Sequence, residues 1–95
     1  MKITRIRIYK TDLPYVGGAY VWGAGNAIET ARASVVVIDT DAGLQGCGEF
    51  TPCGENYMVA HSEGVEAFAR LAAPKLLGKD PRQVARIEQL MDHTV

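Results

Sequence analysis

The feature that most constrains this chain is a change of period. Up to Phe50 the apolar residues alternate with polar ones or come in short runs. From Val65 they recur at helical spacing, with Val65, Phe68, Ala69, Ala72 and Leu76 at i, i+3, i+4, i+7 and i+11. A strand returns a side chain to the same face every second residue and a helix every 3.6, so the two halves need different secondary structure. The order β-β-β-α-α predicts an α+β domain: a three-stranded antiparallel meander followed by helices packed on one face.

The first strand is expected over Lys2 to Leu13. Ile6 and Ile8 share a parity while Ile3 falls out of phase, which predicts a bulge or a frayed start. Pro14 cannot donate to a sheet ladder and closes the strand. Tyr15 to Ala27 combine Gly17, Gly18, Gly23 and Gly25 with Tyr15, Tyr20 and Trp22. The sequence reads as one long loop whose aromatic side chains need cover. Glu29 to Thr40 form the second strand, and Asp39 to Gly43 are turn chemistry. Leu44 to Phe50 return as the third, where Gly46 and Gly48 suit a bend or a close backbone approach. A second loop is expected over Thr51 to Ala60.

Ser62 is the expected N-cap of the first helix. Pro74 should end or kink it, and Gly78 is a C-terminal stop. Asp80-Pro81-Arg82-Gln83 reads as the opening of a second helix, with aspartate as cap, proline at the first helical position and glutamine completing a box-like pair. Val84, Ile87 and Met91 form its apolar stripe, which still runs when the chain reaches Val95. Phe68, Ile87 and Met91 are expected in the core between helices and sheet.

Composition narrows the function. The 95 residues carry ten basic and eleven acidic side chains, a net charge of −1, which is no electrostatic footprint for nucleic acid. No apolar run reaches the roughly 18 residues that span a bilayer, and the first residues lack the apolar stretch of a secretory signal. A cytoplasmic protein without membrane contact is expected. At this length the core is marginal, since only about 60–65% of the unfolded surface can be buried.

Spacing alone supplies no catalytic constellation. Gly46-Cys47-Gly48 is not followed by the third glycine of a dinucleotide fingerprint, and no P-loop lysine is present. Cys47 and Cys53 have neither zinc-ribbon nor redox spacing and read as reduced, partly buried thiols. His61 and His93 read as capping or surface residues. Ser34 and Ser62 lack a nucleophile-elbow context. Glu49, at a strand end, reads as a holder of loop amides.

A resemblance adds what spacing does not. The opening Met1-Lys2-Ile3 strand, Leu13-Pro14, Val35-Val36-Val37-Ile38, Gly43-Leu44-Gln45-Gly46-Cys47-Gly48-Glu49 and Ala73-Pro74-Lys75-Leu76-Leu77-Gly78-Lys79-Asp80-Pro81 occur in this order over the whole chain. In that order they resemble the N-terminal capping domain of the mandelate racemase/muconate lactonizing enzyme family of the enolase superfamily. Gly48 to Tyr57, followed by His61, is most similar to the cis-3-hydroxy-L-proline dehydratases and hydroxyproline-betaine epimerases.

The resemblance implies that residues 1–95 are an incomplete enolase-type capping domain. Its partner would be a (β/α)₈ barrel downstream in the same chain, bearing lysine bases and three acidic ligands for Mg²⁺. Chemistry would begin with loss of a proton α to a carboxylate, and the metal would stabilise the enediolate. The substrate would be a small carboxylate, with proline derivatives favoured by the finer similarity, and the outcome either epimerisation or elimination. The full-length enzyme is expected to be a homo-oligomer.

The capping domain's two loops, here Tyr15–Ala27 and Thr51–Ala60, would close over the barrel mouth. Tyr57 is carried over as a substrate contact, with Tyr20 and Trp22 as pocket walls from the other loop. Pro52 and Cys53 would shape their loop. No catalytic or metal-binding residue is expected in this chain, and alone it should be inactive. The competing expectation is a free-standing, non-catalytic binding or oligomerisation module.

Overall fold

The structure, a computed structural model, describes residues 1–23, 25–51 and 62–94. Strand β1 (Ile3–Pro14) pairs antiparallel with β4 (Thr30–Thr40), from Ile3 opposite Thr40 to Pro14 opposite Thr30. The register shifts between Ile3 and Arg5, which is the irregularity that the out-of-phase isoleucine predicts. Strand β5 (Gln45–Phe50) adds to the other side of β4, so the three-stranded sheet has the order β1-β4-β5 and is the expected meander. The β4–β5 turn closes with Thr40 and Leu44. The Thr40 amide donates to the Leu44 carbonyl at 3.1 Å, and Gly43 takes φ +75°. Asp41 reaches back to the chain start, its carboxylate accepting from the Lys2 amide at 2.8 Å.

Helices α1 (Ser62–Leu76) and α2 (Val84–Asp92) follow, α1 lying against β1 and β4 and packing on α2. The sheet row that meets them is apolar at one end, where Ile6 pairs with Ile38 and Ile8 with Val36. Ile3, Ala72 and Leu76 form the buried cluster, with Ile6, Ile38, Phe68, Ile87, Leu90 and Met91 packed around it. The expected core positions Phe68, Ile87 and Met91 thus lie between helices and sheet, partly buried against that cluster. Each side chain of this size contributes about 1.5–3 kcal/mol when fully buried.

Pro74 lies in the last turn of α1, and the helix ends two residues later at Leu76. Gly78 then turns the chain with φ +82°, a conformation that costs a side-chain-bearing residue. Its amide donates to the Ile3 carbonyl at 2.8 Å, and the Ile3 amide donates to the Lys79 carbonyl at 2.8 Å.

Four expectations need correction. The long segment after Pro14 is not simply a loop: β2 (Tyr20–Trp22) and β3 (Asn26–Ile28) pair antiparallel as a separate two-stranded hairpin. Tyr20, Val21 and Trp22 are strand formers, and that local preference prevails over the flanking glycines. Ser62 opens α1 as a helical residue rather than preceding it. The second helix begins at Val84, not Pro81. Asp80 does bind the amide of Arg82 at 3.0 Å, but its carbonyl also accepts from Gln83 at 3.1 Å, so the capping chemistry makes a tight turn before the helix. Val84 consequently leaves the apolar stripe and is 61% exposed. Finally, of the bend or close approach expected at Gly46 and Gly48, the close approach is not found among the described residues, where a Cβ at either would meet no atom within 4 Å.

The molecule is elongated, 47 × 28 × 19 Å, with a radius of gyration of 15.9 Å. A compact chain of this length would have about 12 Å. Between the helices and the sheet lies an apolar cavity of about 320 Å³, bounded by Ile6, Val36, Phe68, Ala69, Ile87 and Met91 among others.

Candidate functional site

The hairpin carries two of the three expected site residues. It leaves the β1–β4 ribbon where Pro14 faces Thr30, and the Tyr15 amide donates to the Glu29 carbonyl at 3.1 Å across its base. Tyr20 and Trp22 are the first and last residues of β2, opposite Ile28 and Asn26. The ring of Tyr20 stacks on that of Tyr15, with centroids 6.1 Å apart and planes at 29°, an offset geometry favoured by aromatic pairs. Half of Tyr20 remains exposed, at 49%. The stack was not legible beforehand: Tyr15 counted only as one loop aromatic, and the missing signal was the pairing that folds β2 back towards it. Tyr57, with Pro52, Cys53 and His61, lies outside the described residues.

The second expected segment leaves β5 beyond Phe50. There the Thr51 hydroxyl donates to the Glu49 carboxylate, a side-chain partner where amides were expected. The chain re-enters the described region at the start of α1. The sheet row beneath this end of the helix is charged. Lys10 pairs with Glu66 at 2.8 Å, and Arg70, one turn along, also reaches Glu66 at 2.8 Å. Arg32 pairs with Asp12, its cross-strand neighbour, at 3.4 Å and with Glu63 in the first turn of α1 at 3.0 Å. Lys10, followed by Arg70, holds the Glu66 carboxyl below its usual range. Glu63 and then Asp12 raise the Arg32 guanidinium above its own.

The opposite sheet face carries a second polar group. Arg7 donates to the Tyr9 hydroxyl at 3.1 Å and to Asp39 at 3.0 Å, and Gln45 donates to the same Asp39 oxygen at 2.8 Å. These residues span β1, β4 and β5. The Gln45 amide foremost, then Arg7, lowers the Asp39 carboxyl. Cys47 is free and exposed, not partly buried as expected, because β5 is an edge strand with every residue open to solvent.

Among the described residues no three His, Cys, Asp or Glu side chains converge as a metal cage. No described helix is long and apolar enough to cross a membrane. What the described residues offer is an aromatic hairpin at the end of the β1–β4 ribbon and a helix start tied to that ribbon by charge.

Residues 21–95 match the family described as mandelate racemase / muconate lactonizing enzyme, N-terminal domain. The chain belongs to this family. A cis-3-hydroxy-L-proline dehydratase from Roseibium aggregatum is 41% identical over 92 residues, which are 97% of this chain and 25% of that protein. A crystal structure of a mandelate racemase/muconate lactonizing enzyme from Roseovarius nubinhibens superposes with a TM-score of 0.94 at 85% identity, over 99% of this chain and 26% of that one. Another mandelate racemase/muconate lactonizing enzyme structure from that organism, complexed with magnesium, gives a TM-score of 0.95 at 47% identity over 100% and 26%. The chain thus spans about a quarter of the length of these relatives. The α+β fold is that of an enolase-superfamily N-terminal domain, as the resemblance implied.

Proposed function

We propose that this chain is the capping, substrate-selecting part of a larger Mg²⁺-dependent enzyme that removes a proton α to a carboxylate. The reading is supported above all by a match over nearly the whole chain to only about a quarter of the length of proteins that include a cis-3-hydroxy-L-proline dehydratase. Residues 1–95 would then be one domain, and the reacting groups belong to the remainder, read as a (β/α)₈ barrel in the same polypeptide. Among the described residues no three His, Cys, Asp or Glu side chains converge to hold magnesium, and the proposal places the metal in the remainder of the parent enzyme. This chain's own residues shape the pocket and keep water out.

The aromatic hairpin suits that task. Tyr20 offers a half-exposed ring already braced by Tyr15, and Trp22 stands on the same short strand. Aromatic faces attract a desolvated cationic ring such as a prolinium, by about 0.5–2 kcal/mol each. Tyr57, from the segment between β5 and α1, is proposed to complete the wall. The substrate class is a small cyclic amino-carboxylate of the hydroxyproline kind, dehydrated or epimerised by an enzyme assembled from identical subunits.

The test is kinetic. In the full-length parent enzyme with cis-3-hydroxy-L-proline, Tyr57→Ala and Trp22→Ala should each lower kcat/KM at least tenfold while the Mg²⁺ activation midpoint stays put. The 95-residue chain alone should give no turnover. Unchanged kinetics in both variants, or turnover by the isolated chain, overturns the assignment. A stable, separately acting 95-residue product in the cell would favour a non-catalytic module instead.

A further inference from the structure

The row of β1 and β4 residues under α1 changes character along its length. Ile6, Ile8, Val36 and Ile38 meet the helix with apolar side chains. Two residues further along each strand the row becomes Lys10 and Ser34, then Asp12 and Arg32. Successive residues of one parity share a sheet face, so apolar and charged positions belong to the same face. Ala72 and Leu76 of α1 are buried with Ile3, and Phe68 packs against them, while Glu63 and Glu66 in its first turns reach the charged end of the sheet.

Arg32 stands at the junction. It lies two residues inside the pair Pro14–Thr30, from which the hairpin departs, and it contacts both the opposite strand and the helix start. Nε faces Asp12 and Nη1 faces Glu63, so a single planar fork serves two carboxylates. Glu63 also sits in the first helical turn, where a negative charge is favoured by the helix dipole. Three charged side chains from three elements thereby meet, Asp12 and Arg32 at the hairpin base and Glu63 at the start of α1.

We propose that Arg32 is a positioning residue that sets the first turn of α1 against the base of the β2–β3 hairpin. The functional consequence rests on the capping role proposed above: the first turn of α1 and the hairpin base keep one spacing because one guanidinium reaches both. All three side chains are more than half exposed. The link is therefore weak in stability terms and sensitive to salt, and its effect is on geometry.

The test needs neither barrel nor substrate, so it can fail independently of the capping role. Hydrogen–deuterium exchange is followed by mass spectrometry on the 95-residue chain at low micromolar concentration. Arg32→Gln should speed exchange about threefold, the size expected for losing an exposed ion-pair group, in residues 63–67 and also in 11–13 and 30–33. Peptides over Ile6, Ile38 and Leu76 should keep their wild-type rates. Arg32→Lys retains the charge but not the fork, and should restore one of the two segments and not both. About 500 mM NaCl, where the screening length is about 4 Å, should move the wild type in the same two segments part of the way toward the Arg32→Gln pattern. That salt arm decides the question if the variant does not fold. No change in either segment, or a change confined to one of them in Arg32→Gln, overturns the proposal.

Discussion

Ile3 and Gly78 are joined backbone to backbone: the glycine amide donates to the isoleucine carbonyl at 2.8 Å, and the isoleucine amide donates to Lys79 next door at the same distance. The chain start is thus tied to the end of α1, directly beside the buried cluster that Ile3 shares with Leu76. Gly78→Ala should lower unfolding stability by about 1–2 kcal/mol, the cost of a left-handed conformation for an ordinary residue. Among the described residues a new Cβ there would touch nothing within 4 Å, so the expected loss is backbone strain. Gly78→Asn should lose less, and urea denaturation measures both.

Two apolar residues near α2 should separate sharply. Ile3 is 3% exposed, and Ile3→Ala should cost about 2–4 kcal/mol through lost burial and a cavity. Val84→Ala, at the exposed start of α2, should stay within about 0.5 kcal/mol. Paired midpoints in the same denaturant series check the contrast.

The pH dependence follows from three depressed carboxyls, Asp39, Glu66 and Asp80. Each has a folded pKa below its unfolded value, so its contribution is complete above the unfolded value of about 4 and is lost as pH falls through the folded one. Stability should be flat from about pH 5 to 8 and decline below about pH 4. Asp39→Asn should shallow that decline, because Gln45 and Arg7 no longer favour a charged form there. Thermal melts at stepped pH provide the readout.

The apolar cavity under α1 and α2 should be detectable with an environment-sensitive dye. At about 320 Å³ and lined by aliphatic side chains, Phe68 and Met91, it has the volume of a small ligand pocket. The 95-residue chain should enhance anilinonaphthalene sulfonate fluorescence at pH 7 while retaining a cooperative melt. It should also self-associate as concentration rises, which sedimentation velocity would reveal.

Cys47 should react with Ellman's reagent in the native protein without denaturant, since it is exposed on an edge strand. Cys47→Ser should change stability by no more than about 0.5 kcal/mol.

The sheet order, the bulge after Ile3, the turn at Gly43 and the apolar face of α1 were legible because each rests on local pattern or on one residue's chemistry. The hairpin was missed because Tyr20 to Trp22 and Asn26 to Ile28 are three residues each, too short for alternation to register above four nearby glycines. The start of α2 was misplaced because Asp80 followed by Pro81 carries equally good turn chemistry, and only the Gln83 amide's bond to Asp80 decides between them. At the candidate site, Tyr20 and Trp22 were expected as pocket walls from their loop, and the structure places both on β2. Tyr15's brace and Arg32's double contact depend on strand register and on where α1 lands, neither of which a one-dimensional pattern contains.

The β1–β4 ribbon has a consequence for synthesis. Its last pairing residue is Thr40, but Leu76, which packs on part of its apolar row, comes 36 residues later in the chain. At about 5–20 residues per second that interval is about 2–7 s. For those seconds the nascent ribbon leaves the ribosome with Ile6, Ile8, Val36 and Ile38 bare, a ready target for a chaperone.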